Sequence, residues 1–162
     1  MQNANDAIVH GLSVSLNLLK RYTQDFSPQD YLHRASPKAN CTAWIIGHLI
    51  LTERSALGAM GVTDLPTLPE GFESRIPRDE SAATCNDFGD VNQLMPLFEQ
   101  HRQRLIDAVK GASTELLNTP REKPNPLFRT VGEVANFMSL HVTMHAGQIT
   151  MIRRSLGRPP LV

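Results

Sequence analysis

Only two of the 162 residues are cysteine, Cys41 and Cys85. Two are too few for a disulfide framework, so a reducing, cytoplasmic setting is expected. No charge of either sign dominates: 16 basic and 16 acidic residues leave a net charge of zero. That balance argues against a nucleic-acid partner or a polybasic membrane contact. The longest nearly apolar run, Ala43 to Leu51, is about half a membrane span. No secretory leader is expected, because Met1 to Asp6 is polar and Ser13 and Asn17 interrupt the apolar residues after it. There is no glycine-rich phosphate loop, no CxxC and no recognisable protein nucleophile. The helical zinc-protease pattern HExxH is missing too, since Val142 follows His141 where a general base would stand. No segment alternates like a strand, and there is no internal repeat or low-complexity tract. One domain over residues 1–162, with a sizeable core, is the expectation.

What is present is helical periodicity. Ile8, Leu12, Leu16 and Leu19 recur at helical spacing between Asn5 and Tyr22. Ser27-Pro28-Gln29-Asp30 opens a short turn. A second helix follows Pro37, with Asn40 as its N-cap, and runs to Met60 before Gly61. A third starts at Asp90, with Gln93 completing a capping-box pattern, and stops at Gly111. A fourth opens at Thr130 with Glu133, again a capping box, and ends before Gly157 and Pro159-Pro160. Residues 61–89 and 111–129 read as irregular connections. The expected fold is all-α: a four-helix bundle whose long crossover between the second and third helices favours up, down, down, up.

The fourth helix carries LHVTMHAGQI from Leu140 to Ile149. His141 and His145, four residues apart, share one helix face, turned by roughly 40° and raised about 6 Å. They edge the apolar stripe of Val131, Val134, Met138, Val142, Ile149 and Ile152. The pair alone reads equally as a metal clasp and as two core histidines satisfied by hydrogen bonds. A third histidine tips the balance. His48 is centred on the inner face of the second helix, with Cys41, Trp44, Ile45, Leu51, Thr52 and Ser55. If the second and fourth helices are antiparallel, all three histidines stand at nearly the same depth. Gly47 beside His48 marks a close approach, by a ligand or by a packed neighbour.

Three neutral imidazoles suit Zn or Ni first and Fe or Cu next, not Mg or Ca. Three ligands leave a position open for water or substrate. Gln148, seven residues after His141, is placed to hydrogen-bond a ligand histidine or a bound cofactor, or simply to pack. His101 lies on the inner stripe of the third helix and competes as a fourth ligand. His10 and His33 do not, and Glu53 faces elsewhere. Arg153 and Arg154 complement the dipole of the last turn. Cys85 is a free thiol in a polar loop, with nothing near it in sequence to activate it.

Trp44-x-x-x-His48-Leu49 followed by His141-x-x-x-His145-x-Gly147-Gln148-Ile149 resembles the DinB-like superfamily, over nearly the whole chain. The resemblance implies an up-down-down-up bundle, a divalent metal held by His48, His141 and His145, and a homodimer. To the homodimer the sequence adds Leu57 and Met60, apolar side chains that four helices need not cover. Some members are thiol-dependent transferases or isomerases that use bacillithiol, mycothiol or glutathione. The resulting expectation is a metal-dependent enzyme acting on a small-molecule substrate through a low-molecular-weight thiol. Metal or ligand binding without turnover is one alternative, and metal-dependent hydrolysis is another.

Overall fold

The computed structural model describes residues 3–159 and 161. Met1, in the polar N-terminal stretch, and Pro160, in the proline pair after the fourth helix, lie outside the described residues. The chain is mostly helical. Helix α1 spans Ala4–Thr23 and starts at Asn3, whose side chain accepts from the backbone N–H of Asp6. A one-turn helix, α2 (Pro28–Leu32), carries a complete capping box between Ser27 and Asp30.

Helix α3 spans Thr42–Ala59. Its N-cap is Cys41 and not Asn40, and the Cys41 side chain makes no capping bond. Packing explains the shift: Cys41, Ala43, Ile45 and Ile46 are fully buried, so tertiary contacts fix where the helix begins. Its end is a Schellman motif on Gly61, at φ +76°. The N–H of Val62 returns to Leu57 and that of Gly61 to Gly58.

The crossover after α3 is pinned rather than loose. It contains 3₁₀ turns at Glu73–Arg75 and Glu80–Ala83. Phe72, Ile76, Ala82 and Phe88 are buried along it. Asp90 does act as a cap, but not in the way its pairing with Gln93 implies. Its carboxylate accepts from Asn92 at the head of a 3₁₀ turn, Val91–Gln93, and α4 (Leu94–Gly111) begins only then. Pro96 fits the first turn of α4, where its missing N–H has no helical partner to lose.

Residues 111–129 hold regular structure that the sequence reading missed. Helix α5 (Thr114–Asn118) is capped by Ser113. Strands β1 (Pro120–Asn125) and β2 (Phe128–Thr130) form an antiparallel ribbon with an irregular register. Proline and charge in PREKPN give it no alternating pattern, and pairing with β2 makes it a strand. Helix α6 (Val131–Ser155) has the expected capping box of Thr130 and Glu133. It ends in a second Schellman motif, with Gly157 at φ +71°.

The four long helices close on one another. Helix α1 packs on α4 and α6, and α3 packs on the same two. Inside sits an ion pair: Arg102 Nη2 donates to Glu53 Oε1 at 2.7 Å, with both side chains shut off from solvent. Glu53 faces away from the histidines, as expected. Leu57 and Met60 are buried within the chain, which removes them as a dimer surface. Arg153 is not a surface dipole partner either. It is 2% exposed and donates to the Tyr22 carbonyl and to Asp25, tying the end of α6 to the end of α1. Arg154 stays exposed.

Candidate metal centre

Helices α3 and α6 bring three imidazoles to one point. His141 Nε2 lies 3.2 Å from His48 Nε2 and 3.1 Å from His145 Nε2. One ring nitrogen from each residue falls within 4.8 Å of the others. A neutral imidazole nitrogen has one in-plane site, so His141 Nε2 cannot satisfy both neighbours by hydrogen bonding. A cation at the common point would satisfy all three. Two nitrogens bound to one zinc-sized ion stand about 3.0–3.4 Å apart, which matches both separations.

Neighbouring groups orient two of the rings. The Thr52 hydroxyl donates to the Leu49 carbonyl at 2.9 Å. Its oxygen therefore faces His141 Nδ1, at 3.4 Å, as an acceptor. Gln148 Oε1 lies 3.0 Å from His145 Nδ1 and accepts from it. Each arrangement puts the proton on Nδ1 and leaves the Nε2 lone pair facing the cluster. His48 Nδ1 is buried without a partner. Packing holds its ring instead, stacked on Trp44 at 4.9 Å and 6°. Phe137 does the same for His141, at 5.7 Å and 16°.

The electrostatics favour neutral rings. Burial lowers the His48 pKa to about 3, helped by the charges of His145, His141 and Arg78. Burial likewise lowers His141 to about 4, with His145, Arg102 and Arg78 contributing. His145 is lowered by burial, while its hydrogen bond to Gln148 pulls the other way. At neutral pH all three rings carry free lone pairs, the form a metal needs.

His101 does not join the cluster. It is fully buried in α4, with Nδ1 on the Leu97 carbonyl at 2.8 Å and Nε2 facing Arg54 at 3.2 Å. It is a satisfied core histidine. His33 Nε2 meets Ser155 Oγ, and His10 is exposed. Cys85 is a free thiol whose Sγ faces the carbonyls of Arg75 and Asp87, away from the histidines.

Gly47 marks a packed neighbour. A methyl group there would come within 2.3 Å of Ile76 Cδ1, so the crossover seats directly on α3. Next along, the Pro77 carbonyl accepts from Trp44 Nε1–H at 2.7 Å. A cavity of about 300 Å³ opens against His48 and His141, with Phe128, Phe137, Arg78 and Arg121 among its walls.

The family model of the DinB superfamily matches residues 12–149, which take in all three histidines. The chain belongs to the DinB superfamily. Comparison with curated proteins finds no match. Membership and the histidine cluster together are compatible with metal binding. Among the described residues, no helix is long and apolar enough to cross a membrane.

Several groups around the centre went unread in the sequence. Phe137 stands four residues before His141, as Trp44 stands four before His48. An aromatic one turn ahead of each histidine is a readable signal. Arg78 and Arg121 lie in stretches without periodicity, and nothing local marks them.

Proposed function

We propose that this DinB superfamily protein is a divalent-metal-dependent enzyme that acts on a small molecule through a low-molecular-weight thiol. The approach of His141 Nε2 to 3.2 Å from His48 Nε2 and 3.1 Å from His145 Nε2 carries the reading. His48, His141 and His145 are the ligands, for Zn or Ni first and Fe or Cu next. Bound there, such an ion lowers the pKa of a thiol that reaches its open position. The chain does the rest. Trp44, Thr52, Phe137 and Gln148 fix the rings, and Phe128, Phe137 and Met138 give the cavity an apolar wall for a substrate. Gln148, in contact with His145, would also orient an incoming thiol. Among the described residues the cavity lining contains no carboxylate, the usual general base for hydrolysis, which favours transfer.

The up-down-down-up arrangement is part of the same proposal, as is one domain over residues 1–162. Asn5 bonds the carbonyls of Val109 and Ala112, while Lys20 pairs with Glu99, which supports antiparallel α1 and α4. Gly11 lies against Ser139, and Tyr22 meets Arg153, which supports parallel α1 and α6. Free Cys41 and Cys85 suit a cytoplasmic setting. A homodimer would cover Leu140, Met144 and Met151, exposed at helical spacing on α6. A monomer by light scattering at micromolar concentration would refute it.

The enzyme test is to load the protein with each metal and supply bacillithiol, mycothiol or glutathione with several electrophiles. Thiol consumption should exceed that of the His145→Ala protein, which should lose metal and turnover together. Metal uptake with no turnover across the panel would leave a binding protein instead.

A further inference from the structure

The cavity beside the histidines is lined by two arginines and, among the described residues, by no carboxylate. Arg78 enters from the crossover, directly after Pro77, whose carbonyl Trp44 holds. Arg121 enters from β1, with its guanidinium over the Phe128 ring at 4.9 Å. That contact sets the direction of the side chain and leaves its N–H edge free. Seven of the other ten arginines are occupied, while Arg21, Arg129 and Arg154 are exposed and line no part of this cavity. Arg75, Arg102, Arg104, Arg153 and Arg158 pair with carboxylates. Arg34 and Arg54 donate to backbone carbonyls. Among the described residues, neither Arg78 nor Arg121 is in an ion pair, though Arg78 also lines a second hollow together with Glu73.

Two cations without an ion pair on one concave space, with apolar side chains and the histidines on the same lining, describe a ligand with two unlike ends. An arginine fork is built for an anionic oxygen group. Phe128, Phe137 and Met138 offer an apolar body its contacts. A volume of about 300 Å³ sits at the small end of ligand pockets. The geometry points to a small organic acid as the ligand: its anionic group on Arg78 and Arg121, its apolar body on Phe128 and Phe137, its far end at His48 and His141. The inference rests on the metal-dependent reading only for that far end.

Calorimetric titration tests it, with phenylacetate and phenylphosphonate as acid probes and phenylacetamide as the neutral one. Zinc-loaded and chelator-stripped proteins are titrated side by side, and zinc content is measured separately. At least one acid should bind about tenfold tighter than the amide in both forms, because its charge meets the arginines and not the ion. The Arg78→Gln, Arg121→Gln double variant should lose that preference while keeping its zinc content and helical signal. Equal binding of acids and amide overturns the inference. So does a preference that survives the double variant, or no binding of either acid. A protein that takes up no zinc yet keeps the acid preference supports the anion site and overturns the metal reading.

Discussion

Glu53 and Arg102 meet at 2.7 Å in the middle of the fold, on helices that each carry one end of a buried ion pair. Arg102 also donates to the Leu12 carbonyl, to Ser15 Oγ and to the Met138 carbonyl. One guanidinium thus ties α1, α3, α4 and α6 together, one turn below His141. Glu53 Oε2 and Arg102 Nε are buried without partners. Burial accordingly pushes the Glu53 carboxyl up, with Arg102 pulling it back. Removing one partner strands the other charge. Glu53→Ala should therefore lose about 3–5 kcal/mol of unfolding free energy in urea. The double change Glu53→Leu, Arg102→Met should lose clearly less than Glu53→Ala alone. A single variant as stable as wild type would show that the pair is not a structural tie.

That pair illustrates what the sequence could and could not disclose. The helices were legible because their stripes and caps are local: Thr130 with Glu133 and the αL glycines Gly61 and Gly157 each act within a few residues. The clustering of His48, His141 and His145 was legible because spacing put two on one face and depth matched the third. Arg102 was not, since its partners lie 36 to 90 residues away. Arg153 failed in the same way: its position suggested a dipole role, but its partners are on α1 and at Asp25. The β1–β2 ribbon has no alternation to read, because pairing alone defines it. His101 shows the opposite hazard, a histidine on the right stripe whose two nitrogens the core already satisfies.

Gln148 is the most direct probe of how the proposed metal centre would be tuned. Its Oε1 holds His145 Nδ1–H and so keeps the Nε2 lone pair on the cluster. Gln148→Ala should weaken metal binding about 10–100-fold, as loss of a partner to a ligand histidine does elsewhere. Its side chain is exposed, so the fold should be unaffected. Thr52→Val should have a smaller effect, because its contact with His141 is longer, at 3.4 Å. Competition against a chelator of known affinity reads both, and an unchanged Gln148→Ala affinity would refute the orienting role.

The histidine cluster should also set the acid limb of stability in the metal-free protein. His48 and His141 titrate at about 3 and 4 when folded, against about 6.5 in an unfolded chain. Between those values the unfolded state binds more protons, so stability falls as pH drops through that window. Glu53 opposes this above its ordinary carboxylate range, since its folded form holds the proton more tightly. One carboxyl against two or more imidazoles leaves the net slope downward with acid. Urea midpoints of chelator-treated protein should fall from pH 6.5 to pH 4. A His48→Leu, His141→Leu variant should show a flatter profile over the same range. Parallel profiles would mean that these rings do not carry the pH dependence.

Gly47 connects the site to the crossover that walls it. A side chain at 47 meets Ile76 Cδ1 first, which can swing aside, and then Cγ1 at 3.0 Å, which cannot move far in a buried residue. Gly47→Ala gains about 1 kcal/mol of helix propensity and incurs about 1–3 kcal/mol of overpacking, so a small net loss is expected. Gly47→Val removes that gain and enlarges the clash, and should lift Ile76 and Pro77 off α3. The sole tryptophan of the chain reports this directly, because Trp44 Nε1–H donates to the Pro77 carbonyl. Its emission should shift to the red in Gly47→Val as the indole meets water, and metal affinity should fall because Trp44 also supports His48. Adding Ile76→Ala to Gly47→Val should restore much of both, since the colliding side chain is then gone and neighbouring substitutions couple. If Gly47→Val shifts neither emission nor affinity, the crossover is not held by this contact. The glycine beside His48 would then need another explanation.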